Sequence, residues 1–408
     1  MGATLNEPLD AATWMAILTT RVLVVADVSA EVVHGGAERM LHHHIRALVQ
    51  AGFQVSVLTR QPNPDAALET NLEHSSVIEY RLPFSGDKGY EGLKQLRLEA
   101  KKWWKKYQSE FDEIVAEQPF VMWALLKAGC ALPRLQVCHS FAFEEYETRH
   151  ALSSTWKHRL TTFAMRKLEK KVYKSASRLL VLSAFMQNRL LAFFGISFEK
   201  SVVVAGAAEQ LEPFDEQSRD RLRQELAWKT PVVTTLRNLV PRTGVDLLMQ
   251  VALIIKMKGI DMRWVLMGDG VLLASMQNMA KALDVDDVIT FTGFLSEAEV
   301  KERLFAADIF MVPTRGLEGF GLVTLEANAC GLPVLATPIA ANTELVPNIM
   351  FNQLADDASP AALAEKLMWM LEHPLNQQQR MDIQQDAHLK YNWDKHDAAF
   401  IQSVNILT

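Results

Sequence analysis

Between residues 231 and 338, five short apolar runs, PVVTTL, MRWVLMG, VITFTG, IFMVPT and PVLATP, alternate with segments whose apolar residues recur at helical spacing. That alternation leaves little choice of fold. A run apolar at every position suits a strand buried on both faces, and strands separated by helices are joined by crossovers that make them parallel. The first half opens the same way. The run Arg21 to Ala26 leads through Gly35 and Gly36 into a helix predicted over Arg39 to Gln50, with Met40, Ile45 and Leu48 on one face, and Gly52 ends it before a strand at Gln54 to Thr59. Ser296 and Glu299 have capping-box spacing at the start of another helix. A chain of 408 residues exceeds one ordinary core, so the pattern predicts an α/β protein of two Rossmann-like doubly wound parallel-sheet domains facing across a cleft. The expected boundaries are residues 1–205, 206–380 and a helical segment 381–408 that packs back on the first domain, with the linker between Ala205 and Arg219. Ligands of such sheets bind at the carboxyl ends of the strands.

Charge and composition remove several classes of function. The net charge is −6, with 25 Lys and Arg against 21 Asp and Glu in residues 1–205, and 17 against 27 in the rest. The basic excess is small and carries no stacking-aromatic motif, which argues against nucleic acid as a partner. Every apolar span is interrupted, as by Asp27 and Lys127, before it could cross a bilayer. The acidic N-terminal stretch does not read as a secretory signal, so the expected location is cytoplasmic. Cys130, Cys138 and Cys330 are odd in number, lack CxxC spacing and are expected to be buried packing residues. Two stretches leave a membrane reading open. Residues 155–178 hold eight Lys or Arg against Glu169 alone, and Lys101 to Tyr107 mixes lysines with aromatic residues suited to an interface. Either a solvated helix face or a peripheral contact with the anionic inner face of the cytoplasmic membrane fits that pattern.

The most specific segment runs from Glu318 through Gly319, Phe320, Gly321 and Leu322 to Glu326, between a predicted strand and a helix starting near Phe320. Free amides at a helix start receive anionic oxygens, while a carboxylate accepts from paired hydroxyls and repels phosphate. The two glutamates therefore suit different parts of one extended ligand, although a first-turn acid and a surface acid would look the same. The continuation reads Glu326-Ala-Asn-Ala-Cys-Gly-Leu-Pro-Val334. This segment resembles the signature of the family 4 retaining glycosyltransferases of group 1, which carry two glutamates eight apart and then E-A-x-A-x-G-x-P-V. The resemblance extends from Val22 to Trp393 and implies the GT-B fold.

It also implies roles. Glu318 would sit at the donor sugar, the Phe320 to Leu322 amides at sugar and phosphate oxygens, and Glu326 at the ribose. Gly35 and Gly36 resemble the loop that approaches the donor diphosphate, His139 the histidine facing the transferring sugar, and Ser183 another family position. Gly268, Asp269, Gly293 and Phe294 would border the base. One departure stands out. Where the family reads G-R-L-x-x-x-K-G, this chain reads Leu236-Arg-Asn-Leu-Val-Pro-Arg-Thr-Gly244, so Asn238 and Thr243 hold the cationic places, and Arg237 and Arg242 each lie one residue early. On a strand such a slip reverses the side chain. Arg237 and Arg242 are the candidate replacements, and a lysine at Thr243 is expected to be tolerated.

The resulting expectation is a hexosyltransferase that moves sugar from a nucleotide diphosphate to a glycan, lipid-linked or small-molecule acceptor with retention. No cofactor or metal is expected. Asp284-Val-Asp286 falls in a polar connection, and His42, His43 and His44 point apart on a helix. A nucleotide-sugar-binding protein with weakened catalysis, and a GT-B epimerase or phosphorylase, are the alternatives.

Overall fold

The computed structural model describes residues 20–30, 35–72, 76–84, 89–150 and 155–407. Among these, strands β1 (Arg21–Val25), β2 (Gln54–Arg60), β3 (Glu69–Asn71), β4 (Ile78–Leu82), β5 (Glu113–Ala116), β6 (Arg134–Cys138), β7 (Arg178–Val181) and β8 (Ser201–Val203) form one sheet in the order β3-β4-β2-β1-β5-β6-β7-β8. Only β3 at the edge is antiparallel to its neighbour. A second sheet takes β9 (Val232–Leu236), β10 (Arg263–Met267), β11 (Ile289–Gly293), β12 (Ile309–Val312), β13 (Val334–Ala336) and β14 (Gln353–Leu354) in the order β11-β10-β9-β12-β13-β14. The continuous apolar runs are the central strands: Val22 to Val25 are fully buried, with Val24 opposite both Val57 and Val115.

Chain order reverses direction at β1/β5 in the first sheet and at β9/β12 in the second. A crevice opens at the carboxyl ends of such strand pairs. The segments that leave β5, β9 and β12 carry Glu117, Arg237 and Glu318, so the topology alone gathers them at the strand ends. β12 stops at Val312 because Pro313 has no amide to donate.

Two sequence expectations need correction here. The helix expected near Phe320 spans Leu322–Ala329, because Gly321 (φ 107°) makes a left-handed turn before it. In helix Tyr90–Tyr107 the tryptophans do not face outward: Trp104 is 4% exposed, and Trp103 packs against Tyr80, Tyr107 and Phe111. A lysine-tryptophan mixture cannot show which residues turn inward.

Near its end the chain returns to the first sheet. Helix Gln377–Lys390 packs on Leu322–Ala329, and helix Trp393–Asn405 then crosses to helix Gly36–Gln50, where Phe400 and Val404 join the core with Val22 and Val24. The Ala208 amide donates to the Tyr391 carbonyl at 3.3 Å, which ties this returning segment to the outgoing linker.

Candidate functional site

On the second sheet, Arg237 leaves β9 with its guanidinium inside the crevice. Its Nη2 donates to Glu318 Oε2 at 2.5 Å and to Thr314 Oγ1 at 3.1 Å, and the Thr314 hydroxyl donates to the same Glu318 oxygen at 3.3 Å. The slip of one residue therefore does not turn Arg237 away, because the backbone has left the strand and the side chain is long. Gly268 lies on this loop: at φ 120°, any Cβ there would be 2.1 Å from the Arg237 carbonyl. Its amide donates to Gly293, which places the 268–270 turn beside Gly293 and the exposed Phe294.

Thr243 behaves differently from the expectation. It is buried in the short turn Pro241–Thr243, and its hydroxyl donates to the carbonyls of Asn238 and Val240 at 2.9 and 2.7 Å. A lysine there would lose both bonds and bury an unpaired ammonium, so the expected tolerance of that change is withdrawn. Asn238 is exposed beside it. Arg242 donates from Nη1 to the Leu317 carbonyl at 3.4 Å, next to Glu318. Arg242, Asn238 and Asp269 line a cavity of about 270 Å³ together with Glu145, Thr148 and Arg149 of helix Ala142–Arg149.

The first sheet presents its own residues to the same crevice. Gly319 packs so closely on His139 that a Cβ would lie 2.5 Å from the His139 carbonyl, and Ser183 Oγ donates to the Gly319 carbonyl at 2.6 Å. Ser183 also caps helix Ala184–Phe194, whose first amide donates to Glu344 at 2.9 Å. Gly36, at the start of helix Gly36–Gln50 with Gly35 as its cap, lies against Leu322, and the linker residue Gly206 lies against Leu322 and Phe320. Arg39, one turn into that helix, forms an ion pair with Glu326 across the crevice. Burial pushes the Glu326 carboxyl above its usual range, against the pull of Arg39. His139 donates from Nε2 to Glu117 Oε2 at 2.8 Å. For Glu117, burial is outweighed by the fields and hydrogen bonds of His44 and His139, which hold its carboxyl at about 2.

All sixteen residues expected at the site fall within the described structure; among them Glu318 meets Arg237, Gly319 seats on His139, Gly36 lies against Leu322, Gly268 bonds to Gly293, and Asn238, Arg242 and Asp269 line one cavity. Arg39, Glu117 and His44 were not anticipated. Glu117 did carry a signal, a carboxylate directly after the apolar run of a central strand, whereas His44 was weighed only as a metal ligand. Asp284 and Asp286 are exposed, and Asp284 pairs with Lys256. The three cysteines are buried and unpaired.

Comparison with known proteins bears on both halves. The family described as Glycosyltransferase Family 4 matches residues 34–207, and Glycosyl transferases group 1 matches residues 218–388. A GDP-mannose-dependent alpha-(1-6)-phosphatidylinositol monomannoside mannosyltransferase of Mycolicibacterium smegmatis is 33% identical over 161 residues, 38% of this chain and 42% of that protein. The amylovoran biosynthesis glycosyltransferase AmsK of Erwinia amylovora is 29% identical over 195 residues, 47% of this chain and 46% of its own. The chain thus spans less than half the length of these curated relatives. Solved structures match over more of the chain. Sucrose-phosphate synthase of Thermosynechococcus elongatus superposes with a TM-score of 0.78 at 18% identity, covering 95% of this chain and 99% of that one. Anabaena HepE in complex with UDP superposes with a TM-score of 0.73 at 19% identity, over 95% and 100%. At those identities the likeness is one of fold.

Proposed function

The chain belongs to the group 1 glycosyltransferases, and from that premise we propose that it transfers a hexose from a nucleotide diphosphate donor with retention and without a metal ion. The observation that carries this reading is the seating of Gly319 on His139, which brings the Glu318 loop of one sheet against the strand end of the other. The hexose lies between Glu318 and His139. The diphosphate meets the amides of Phe320 to Leu322 at a helix start and the Gly36 loop, and Arg242, held at the Leu317 carbonyl next to Glu318, is the cation for charge developing on the leaving group. The ribose hydroxyls take Glu326, displacing Arg39. Front-face transfer suits Glu318, whose Oε2 is engaged by Arg237 and Thr314 rather than free as a nucleophile.

The acceptor we propose is lipid-linked or a glycan at a membrane surface. Helix Trp156–Ser175 exposes Trp156, Leu160 and Phe163 at 70, 59 and 55%, beside Lys157, Arg159 and Lys167. Its single acid, Glu169, turns inward and accepts the amides of Ala142 and Phe143 at 2.8 and 3.0 Å. A face of exposed apolar and basic residues suits an anionic bilayer, whereas no described helix is long and apolar enough to cross one. Binding to phosphatidylglycerol vesicles that is absent with phosphatidylcholine and weakened by salt supports this, and equal absence from both overturns it.

A panel of UDP- and GDP-sugars in excess EDTA tests the whole reading. Release of nucleotide by one donor, with the anomeric configuration kept in the product, is the expected result. A second reading, donor binding without transfer, draws on the Arg237 guanidinium being spent on Glu318 and on Thr243 being buried. Donor binding with no turnover, with or without Mg²⁺, would decide for it.

A further inference from the structure

Behind His139, four titratable side chains from four elements form one hydrogen-bonded row. His139 Nε2 is 2.8 Å from Glu117 Oε2, and Glu117 Oε1 is 2.6 Å from His44 Nδ1. His44 Nε2 is 3.0 Å from His396 Nε2, and His396 Nδ1 is 2.7 Å from the Ala205 carbonyl oxygen. The row runs from the end of β6, past the end of β5, through helices Gly36–Gln50 and Trp393–Asn405, to the start of the linker. His44, Glu117 and His396 are buried, and His44 stacks on Phe400 with ring centres 4.0 Å apart.

Counting protons along the row fixes its charge. A carbonyl only accepts, so His396 Nδ1 carries a hydrogen, and each of the three other contacts holds one more. Those four protons are as many as three neutral imidazoles and one neutral carboxyl hold together, so the row has no net charge while His139 Nδ1 stays bare. If Glu117 is ionised, one imidazole must hold two protons. His44 is the one placed to do so, because it faces the carboxylate directly and can still donate from Nε2 to His396. His43 of its own helix and Asp397 of the last helix also lie in its field. Glu117 held at about 2, against burial, and His396 held at about 3 by burial and His44, agree with that distribution.

We infer that Glu117, His44 and His396 are positioning residues for His139: a buried carboxylate balanced by doubly protonated His44 turns the His139 Nε2–H inward and keeps Nδ1 bare to accept from a donor-sugar hydroxyl. This rests on the proposed placement of His139 at the sugar. Among the described residues His139 Nδ1 makes no hydrogen bond, and the side chain keeps 11% exposure. Removing the charge on His44 leaves the buried carboxylate to draw a second proton onto His139, and the acceptor is lost.

Two measurements test the inference. ¹⁵N NMR of histidine-labelled protein at neutral pH should show both His44 ring nitrogens protonated and His139 protonated at Nε2 alone. A bare nitrogen on His44 overturns the assignment whether or not the protein turns over any donor, so this arm stands apart from the functional reading. In kinetics, His44→Gln should lower kcat at neutral pH by about tenfold, with recovery as pH rises. The double change His44→Gln/Glu117→Gln removes both charges and should regain most of that loss at neutral pH. A purely structural role predicts a double variant no faster than the single one, and that result also overturns the inference.

Discussion

The two carboxylate-arginine pairs of the crevice are built differently. Glu318 and Arg237 both come from loops of the second sheet, with side chains 13 and 6% exposed, and Thr314 shares their hydrogen bonds. Glu326 and Arg39 come from opposite halves and are 22 and 41% exposed. The first pair is fixed by one switch point whatever the other half does, and breaking it leaves a buried charge. The second exists only while the halves meet, and water reaches it from the Arg39 side, Glu326 being the more buried partner. On the proposed reading a ligand would replace the more exposed Arg39 at Glu326, whereas Glu318 already has its orientation set by Arg237 and Thr314.

The sharpest way to break this contrast is Glu318→Gln, which keeps an oxygen for Arg237 and removes the charge. It should cut turnover roughly 1000-fold and leave affinity for free UDP or GDP unchanged. Equal loss of nucleotide affinity would erase the distinction between the pairs. Arg242→Ala should follow with a fall of about 100-fold in kcat at unchanged circular dichroism, because it removes the cation proposed to meet the leaving diphosphate. Full turnover in that variant would leave the cationic role with Arg237 or with the amides alone. Glu326→Ala should weaken nucleotide binding about tenfold by removing its proposed ribose acceptor, while Arg39→Ala should slightly strengthen it by removing a competitor. Isothermal titration with UDP and GDP reads both changes, and weaker binding in both variants would make Arg39 a ligand contact instead.

The smallest expected effect concerns pH and tests the interior behind the first sheet's side of the crevice. Burial, then Arg46, holds His43 at about 3, and burial with His44 holds His396 at about 3. Between about pH 6.5 and 3 the unfolded chain binds protons at these sites and the folded one does not, so stability falls as pH drops through that window. Glu117 at about 2 adds a further loss below about pH 4.5, where the unfolded carboxyl takes up a proton first. Tm should drop by a few degrees from pH 7.5 to 5, and His43→Phe, which keeps a ring on Trp393, should shrink that drop. A drop of the same size in the variant would remove His43 as its source.

The two parallel-sheet domains and the turn of the Glu318 loop were legible in the sequence because both rest on local patterns. An apolar run declares a buried strand, and glycines beside a carboxylate declare a turn into a helix start. Side-chain direction after a strand end was not legible. The slip that should have reversed Arg237 instead occurs where the chain has left the sheet, and Thr243 faces inward because the turn Pro241–Thr243 needs its hydroxyl on two carbonyls. Lys101 to Tyr107 and the 155–178 stretch read alike as basic and aromatic, yet Trp104 is core and Trp156 is surface. Only the packing of Tyr80 and Phe111 separates them. His44 and His396 are 352 positions apart in the chain, a pairing no local spacing could announce.

The return of helix Trp393–Asn405 to the first sheet also limits how the halves can move. The chain crosses between them twice, outward after β8 and back at Tyr391, and the Ala208 to Tyr391 hydrogen bond holds the two crossings side by side. Two strands of chain pinned together act like a door hung on one edge. A motion of the halves that kept this bond would be a swing about the line of those crossings, opening the far lip of the crevice most and shearing the residues nearest Ala205 and His396 least.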